Sequence, residues 1–255
     1  MLEKRIFELR KKRGILLMPH LVLGCPSFDE NRRLIATMVG AGADIIEMQI
    51  PFSEPMADGP VIMKANDEAL KNGTNTTQCL DFAKSVCAEH PDTIFVFMTY
   101  YNIPFTYGVL DFVKKTKAAG VGGLIIPDLP PEEASEYMSC CYSEGVDPIF
   151  IFTPTSKPER LKHLSQFSRG MIYCVGRKGV TGIKTQIDDK VSDLIKLYRS
   201  STDLPLAFGF GIQEKSDVDR IANDVDIAVI GTKILTLHQE GGVEAVGTFL
   251  KNLRK

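Results

Sequence analysis

A chain of 255 residues that is 44% hydrophobic and 24% charged has ample material for a core, and its net charge of −2 gives no general attraction for nucleic acid or anionic lipid. Length alone would admit two domains, but α/β barrels of this size fold as one, and no linker interrupts residues 1–255, so a single barrel domain is expected. The start, Leu2 to Arg13, is charged throughout and lacks the apolar centre of a signal peptide. No later run approaches the roughly eighteen apolar residues of a membrane span, so the sequence predicts a cytoplasmic chain that binds neither membrane nor nucleic acid.

Taken in chain order, Met1 to Arg13 holds Ile6, Phe7 and Leu9 and predicts an extra N-terminal helix closing the bottom of a barrel. Short apolar runs then recur at Leu16 to Leu23, Ala43 to Ile50, Ile94 to Thr99, Gly123 to Ile126, Pro148 to Phe152, Met171 to Val175, Leu204 to Phe208 and Ile227 to Ile230. They are near-continuous rather than alternating, which is the pattern of parallel strands covered on both faces. Helical signals lie between them. Ser27 to Glu30 and Ser156 to Glu159 have the form of capping boxes, and Gly40, Gly73, Gly120 and Gly145 stand where helices should stop. The interval between the second and third runs is long enough for two helices, Val61 to Asn72 and Thr76 to Glu89, one of them inserted. Eight strands alternating with helices predict a (β/α)8 TIM barrel, with an open doubly wound sheet as the competing arrangement.

The cysteines at 25, 79, 87, 140, 141 and 174 show no C-x-x-C spacing and read as reduced packing residues. His20, His90, His163 and His238 are isolated from one another, so no metal site is expected. Glu47 is different. It interrupts a strand that should be buried, and an unpartnered carboxylate there costs several kcal/mol or shifts its pKa upward. Asp58 follows in a loop punctuated by Pro51, Pro55 and Gly59, and two carboxylates in unlike settings are how a site separates acid from base. In a barrel both fall on the carboxyl-terminal rim, with Tyr100, Tyr101 and Asn102 after strand three, Asp128 after strand four and Tyr173 on strand six. For Tyr100 to Asn102 a packed strand end, and for Asp128 a turn or N-cap role, are the plainer alternatives. The glycine-rich ends Gly179 to Gly182, Gly209 to Gly211 and Gly231-Thr232 follow strands six, seven and eight. There, exposed amides and a helix N-terminus could cradle phosphate.

Glu47 with Pro51 to Pro60, Met98 to Asn102, Pro127 to Pro131, Gly179 to Gly182 and Gly209 to Ile212 together resemble the tryptophan synthase alpha subunit family, in order from about Leu16 to Leu235. The resemblance implies cleavage of indole-3-glycerol phosphate to indole and glyceraldehyde 3-phosphate without metal or organic cofactor. It also implies a beta-subunit partner in an αββα complex, with pyridoxal phosphate only in that partner. By the same resemblance Glu47 protonates indole C3 and is the candidate base for the glycerol hydroxyl proton, and Asp58 accepts a hydrogen bond from the indole N–H. Tyr100, Tyr173 and Thr181 are implied near the substrate, Leu124 and Phe210 against the ring, and Gly182, Gly211, Gly231 and Thr232 at the phosphate. The loop from Gly176 to Gln186 is expected to close beside Asp58.

The chain departs from the family pattern at Leu23, Cys25, Gln49, Glu54 and Gly176, none of which removes a carboxylate or a phosphate glycine. Because the second-strand loop faces the beta subunit in the family, these departures bear on coupling more than on chemistry. Two other functions compete: a phosphate-binding barrel isomerase, and a catalytically weak allosteric partner of the beta subunit.

Overall fold

The computed structural model describes residues 2–176, 189–209 and 211–254, the side chains of residues 189 and 190 excepted. Expectations for Thr181, Gly182, Phe210 and most of the Gly176 to Gln186 loop therefore lie outside the described residues. The elements follow in chain order: α1 (Leu2–Arg13), β1 (Leu16–Val22), α2 (Phe28–Gly40), β2 (Ile45–Gln49), α3 (Pro60–Lys71), α4 (Thr76–Glu89) and β3 (Ile94–Met98). Next come α5 (Asn102–Tyr107), α6 (Val109–Ala118), β4 (Gly123–Ile125), α7 (Ser135–Glu144), β5 (Asp147–Ile149), β6 (Ile151–Phe152) and α8 (Pro158–Phe167). The chain ends with β7 (Ile172–Val175), α9 (Asp189–Arg199), β8 (Leu206–Gly209), α10 (Lys215–Ile221), β9 (Ile227–Ile230) and α11 (Thr232–Arg254), the last broken at Gly241 and Gly242.

All strand pairs are parallel, in the order β5-β4-β3-β2-β1-β9-β8-β7-β6. The two ends of that order, β5 and β6, are consecutive in the chain, so the circle closes through Phe150. The single fifth strand expected from Pro148 to Phe152 is therefore two pieces, and the reason is local. The Phe150 amide leaves the ladder to donate to Ser168 Oγ at 3.1 Å, while its carbonyl accepts from the Tyr173 amide. This is a (β/α)8 barrel with an interrupted fifth strand.

Side-chain alternation sorts the strands into an inner and an outer face. Leu16 and Met18, Ile45, Ile94, Val96 and Met98, Ile125, Ile149, Ala207, Ile227 and Val229 pack together inside. Their neighbours Leu17 and Leu21, Ile46 and Met48, Phe95 and Phe97 face the helices. The predicted N-terminal helix plugs the bottom, because Leu2 and Ile6, one turn apart, join the inner cluster. Full burial of a side chain such as Ile6 is worth about 1.5–3 kcal/mol. Gly122 and Gly123 make room for the plug, since a Cβ at either would stand 2.6 Å or 2.8 Å from a Leu2 methyl.

Asp44 ties the bottom together. Its carboxylate is buried and accepts from the Leu17 amide at 2.9 Å, from Arg13 Nη1 at 2.9 Å and from Arg254 Nη2, joining β1, α1 and the C-terminal end of α11. Half of the first box forms: Ser27 Oγ accepts from the Glu30 amide at 3.2 Å, while the Glu30 carboxylate turns to Arg33 and His238 rather than back to the Ser27 amide. The second box does not form. Pro158 sits in the first turn of α8 and shifts the N-cap to Lys157, leaving Ser156 Oγ 3.0 Å from Thr153 Oγ1. The inserted helix is present, since α3 and α4 both lie between β2 and β3.

Candidate active site at the carboxyl ends of the strands

The inward phase of β2 runs Ile45, Glu47, Gln49, so the alternation that buries Ile45 also carries two polar side chains up the inner wall. Glu47 is 2% exposed and Gln49 fully buried. Strand β1 repeats the pattern with Leu16, Met18, His20, and the parallel register sets His20 opposite Glu47. His20 Nδ1 lies 3.1 Å from Glu47 Oε1. Beyond β2 the chain turns outward, and this turn is pinned from α3, where buried Asn66 accepts from the Phe52 amide at 2.9 Å and donates to the Ile62 carbonyl at 2.8 Å. The loop returns to bring Asp58, 3% exposed, over the same rim.

Among the described residues, two side-chain donors hold Asp58. Gln49 Nε2 is 2.7 Å from its Oδ2, and the Tyr100 hydroxyl donates to the same oxygen at 3.3 Å while accepting from the Ala57 amide at 3.0 Å. Phe52 stacks on the Tyr100 ring with centroids 5.2 Å apart. Burial raises the Asp58 pKa above the ordinary carboxylate value. The Gln49 hydrogen bond and the His20 charge pull it back, Glu47 pushes it up, and the Tyr100 bond lowers it. A raised carboxylate beside a second one is the electrostatic setting in which acid and base roles separate.

Tyr173 lies inside the barrel on β7. Its phenol is held well above its usual pKa by burial and then by the charges of Glu47 and Asp58, so it stays neutral and can donate to a ligand. The Tyr173 hydroxyl also lies against Gly209, where an added Cβ would stand 3.4 Å from it. The paired ends of β8 and β9 set Gly209 beside Val229, so Gly211 and Gly231 follow adjacent strand ends. Gly211 has φ +90°, a conformation that disfavours any side chain. Thr232 opens α11, whose first turn contains no acidic residue to compete for an anion.

Leu124 is a correction. It is fully buried in the layer between strands and helices, and its strand neighbour Ile125 is the one that faces the interior. Asp128 accepts from the Tyr101 amide at 2.9 Å and so braces the loop after β3. The sequence reading missed two residues that contact the carboxylates, His20 and Gln49. The available signal was the two-residue phase that places Met18 and Ile45 inside.

A closed parallel barrel with two buried carboxylates at the carboxyl ends of its strands defines a (β/α)8-barrel enzyme, the class in which that rim carries the chemistry. The family model described as tryptophan synthase alpha chain matches residues 6–250, and the chain belongs to that family. A tryptophan synthase alpha chain from Desulfotalea psychrophila is 50% identical over 253 residues, with 99% of each chain covered. One from Syntrophotalea carbinolica is 46% identical over 254 residues, covering 100% of both. Among solved structures, Mycobacterium tuberculosis tryptophan synthase in space group F222 superposes with a TM-score of 0.92 at 30% identity, over 99% of this chain and 96% of that one. A protein from Aquifex aeolicus gives 0.91 at 31% identity, over 99% and 97%.

Proposed function

We propose that this chain cleaves indole-3-glycerol phosphate to indole and glyceraldehyde 3-phosphate, the alpha reaction of its family, with Glu47 and Asp58 as the working carboxylates. Glu47 delivers a proton to indole C3, which breaks the ring's aromaticity and makes it an electron sink. The adjacent glycerol hydroxyl then gives its proton to Glu47, left as a carboxylate by the first transfer, its O–H electrons form the aldehyde, and the carbon–carbon pair returns to the ring. Asp58 accepts from the indole N–H and offsets the positive charge that develops at that nitrogen. Tyr173 faces the glycerol segment, and the phosphate sits on the amides of Gly211, Gly231 and Thr232 at the start of α11.

The observation that carries this reading is the burial of Glu47 on the inner wall with Oε2 unpartnered among the described residues, beside an Asp58 whose pKa burial has raised. A buried carboxylate oxygen without a donor from the chain costs about 1–3 kcal/mol or more, a cost that function explains and packing does not.

The chain works with a beta subunit in an αββα complex, and pyridoxal phosphate belongs to that partner. The loop between the two carboxylates supports this, because it exposes Met56 at 79% while its other end holds Asp58. Pressure on that surface reaches the distance between the two acids, the differential contact that coupling requires. We place the whole chain, as one barrel domain, in the cytoplasm; among the described residues no helix is long and apolar enough to cross a membrane. Indole release from indole-3-glycerol phosphate, measured with the full chain alone and with beta subunit added, tests the reading. Release that rises on adding the beta subunit is expected, and no indole under either condition contradicts it.

A further inference from the structure

We propose that His20 is a positioning residue for Glu47, and that the proton delivered to the substrate is held by the His20–Glu47 pair rather than by Glu47 alone. The proposal rests on the assignment of Glu47 as the acid and adds a second residue to its chemistry.

Geometry comes first. His20 and Glu47 are register partners on adjacent strands, both on the inner wall, 3% and 2% exposed, with Nδ1 3.1 Å from Oε1. Three polar atoms around this contact make no hydrogen bond within 3.5 Å among the described residues, His20 Nε2, Glu47 Oε2 and Gln49 Oε1, although the Gln49 amide stands near enough to the His20 ring to help raise its pKa. All three come from inward positions of β1 and β2, where the lower barrel is filled with apolar side chains. Buried polar atoms without partners are rare because each costs about 1–3 kcal/mol. Three on one patch of wall make a built polar surface for a ligand with donors and acceptors of its own.

The charges facing His20 come from the same side. Glu47 and Asp58 are the carboxylates that reach it, and Tyr173 is the further titratable group facing those two. The strand on its other flank, β9, is Ile-Ala-Val-Ile, and β3 presents Val96 and Met98 to the interior. Among the described residues, no lysine or arginine pairs with Glu47 or Asp58, and the His20 ring is the group placed to supply positive charge there when protonated. Burial alone would keep the ring neutral. The Glu47 charge and hydrogen bond outweigh it, with help from Asp58 and Gln49, and the His20 pKa is raised.

As proposed, the pair shares one proton across the Nδ1–Oε1 contact, written as imidazolium with carboxylate or as imidazole with carboxylic acid. In the second form Glu47 gives the proton to indole C3, and the new C–H bond turns the ring into an electron sink. The pair, now a neutral ring beside a carboxylate, takes the proton from the glycerol hydroxyl as the carbon–carbon bond breaks. Its electron pair returns to the ring while the C=O forms, and the His20–Glu47 pair ends with the proton it began with.

His20→Asn keeps an N–H within reach of Glu47 Oε1 but cannot titrate. In the full chain with beta subunit present, this variant should lose about tenfold or more in kcat while KM stays near the wild-type value. The limb of the kcat pH profile that belongs to the pair should vanish with it. The ring resonances of His20, assigned by comparison with His20→Asn, should titrate above the ordinary imidazole value in the wild type and fall back in Glu47→Gln. Wild-type kcat with an unchanged pH profile in His20→Asn, or a His20 ring that titrates at or below the ordinary value in the wild type, overturns the proposal. Glu47→Gln separates the two levels. An active Glu47→Gln enzyme removes the acid itself, whereas an inactive one beside a fully active His20→Asn removes only the pair.

Discussion

Gln49 Nε2 donates to Asp58 Oδ2 at 2.7 Å, from the same strand face and two residues beyond Glu47, so one β-strand positions both carboxylates. A hydrogen bond to a buried charge is worth about 1.5–3 kcal/mol, and this one opposes the rise that burial imposes on the Asp58 pKa. Gln49→Met keeps the volume and removes the donor. It should lower kcat by roughly tenfold or more, on the scale of that hydrogen bond, and move the acidic limb of the pH profile to higher pH. A kcat pH series measures both. An unmoved acidic limb would show that Asp58 titration does not limit the reaction.

Asp58→Asn should separate activity from stability. Turnover should fall by roughly a hundredfold, because a neutral amide does not offset charge at the indole nitrogen. Stability should move the other way. The folded pKa of Asp58 is raised, so the wild type holds this group's contribution below the unfolded carboxylate value and loses it as pH rises through the folded value. The variant should thus gain in melting temperature over the wild type as pH is taken from about 4 to 7. Thermal melts at both ends of that window check the sign, and a gap that narrows with pH would contradict it.

At the other end of the barrel, Asp44→Ala leaves Arg13, Arg254 and the Leu17 amide without their common acceptor. Removing Asp44 strands the buried Leu17 amide and loses charge-assisted bonds to two arginines that stay partly exposed, at a cost of about 1.5–3 kcal/mol. Denaturant unfolding should show a loss of that order, with KM for the residual folded enzyme close to wild type because the clamp lies opposite the catalytic rim.

Gly211→Val places a branched side chain at φ +90°, where the backbone would approach a phosphate. KM for indole-3-glycerol phosphate should rise strongly, and substitution of Lys178 or Lys184 should do less, if amides rather than side-chain charge form the cradle as proposed. Steady-state kinetics of the three variants decide between the two. Lysine variants that raise KM more than Gly211→Val would assign the phosphate to side-chain charge.

Much of this was legible before the structure, for identifiable reasons. Parallel strands covered on both faces are apolar throughout, so Ala43 to Ile50 and Ile94 to Thr99 stand out of the sequence, and Glu47 stands out of the first. Register is another matter. That His20 faces Glu47 depends on how β1 slides along β2, which no local pattern encodes. Leu124 was misplaced for a related reason: a three-residue strand gives too little alternation to fix its phase, which comes from pairing Ile125 with Met98 on β3. The bonds from Gln49 and Tyr100 to Asp58 depend on the path of the loop that Asn66 pins, a contact fourteen residues from Phe52. The break at Phe150 was hidden because its cause, Ser168, lies eighteen residues away.

The central claim is that Glu47 moves the proton that cleaves the carbon–carbon bond. The direct measurement is single-turnover release of indole from indole-3-glycerol phosphate by Glu47→Gln, in the presence of beta subunit and at saturating substrate. A change from carboxylate to amide at an inward position should leave the fold and substrate binding in place and lower the rate by roughly a hundredfold or more. A rate within a fewfold of wild type would place the proton on another group and contradict the account.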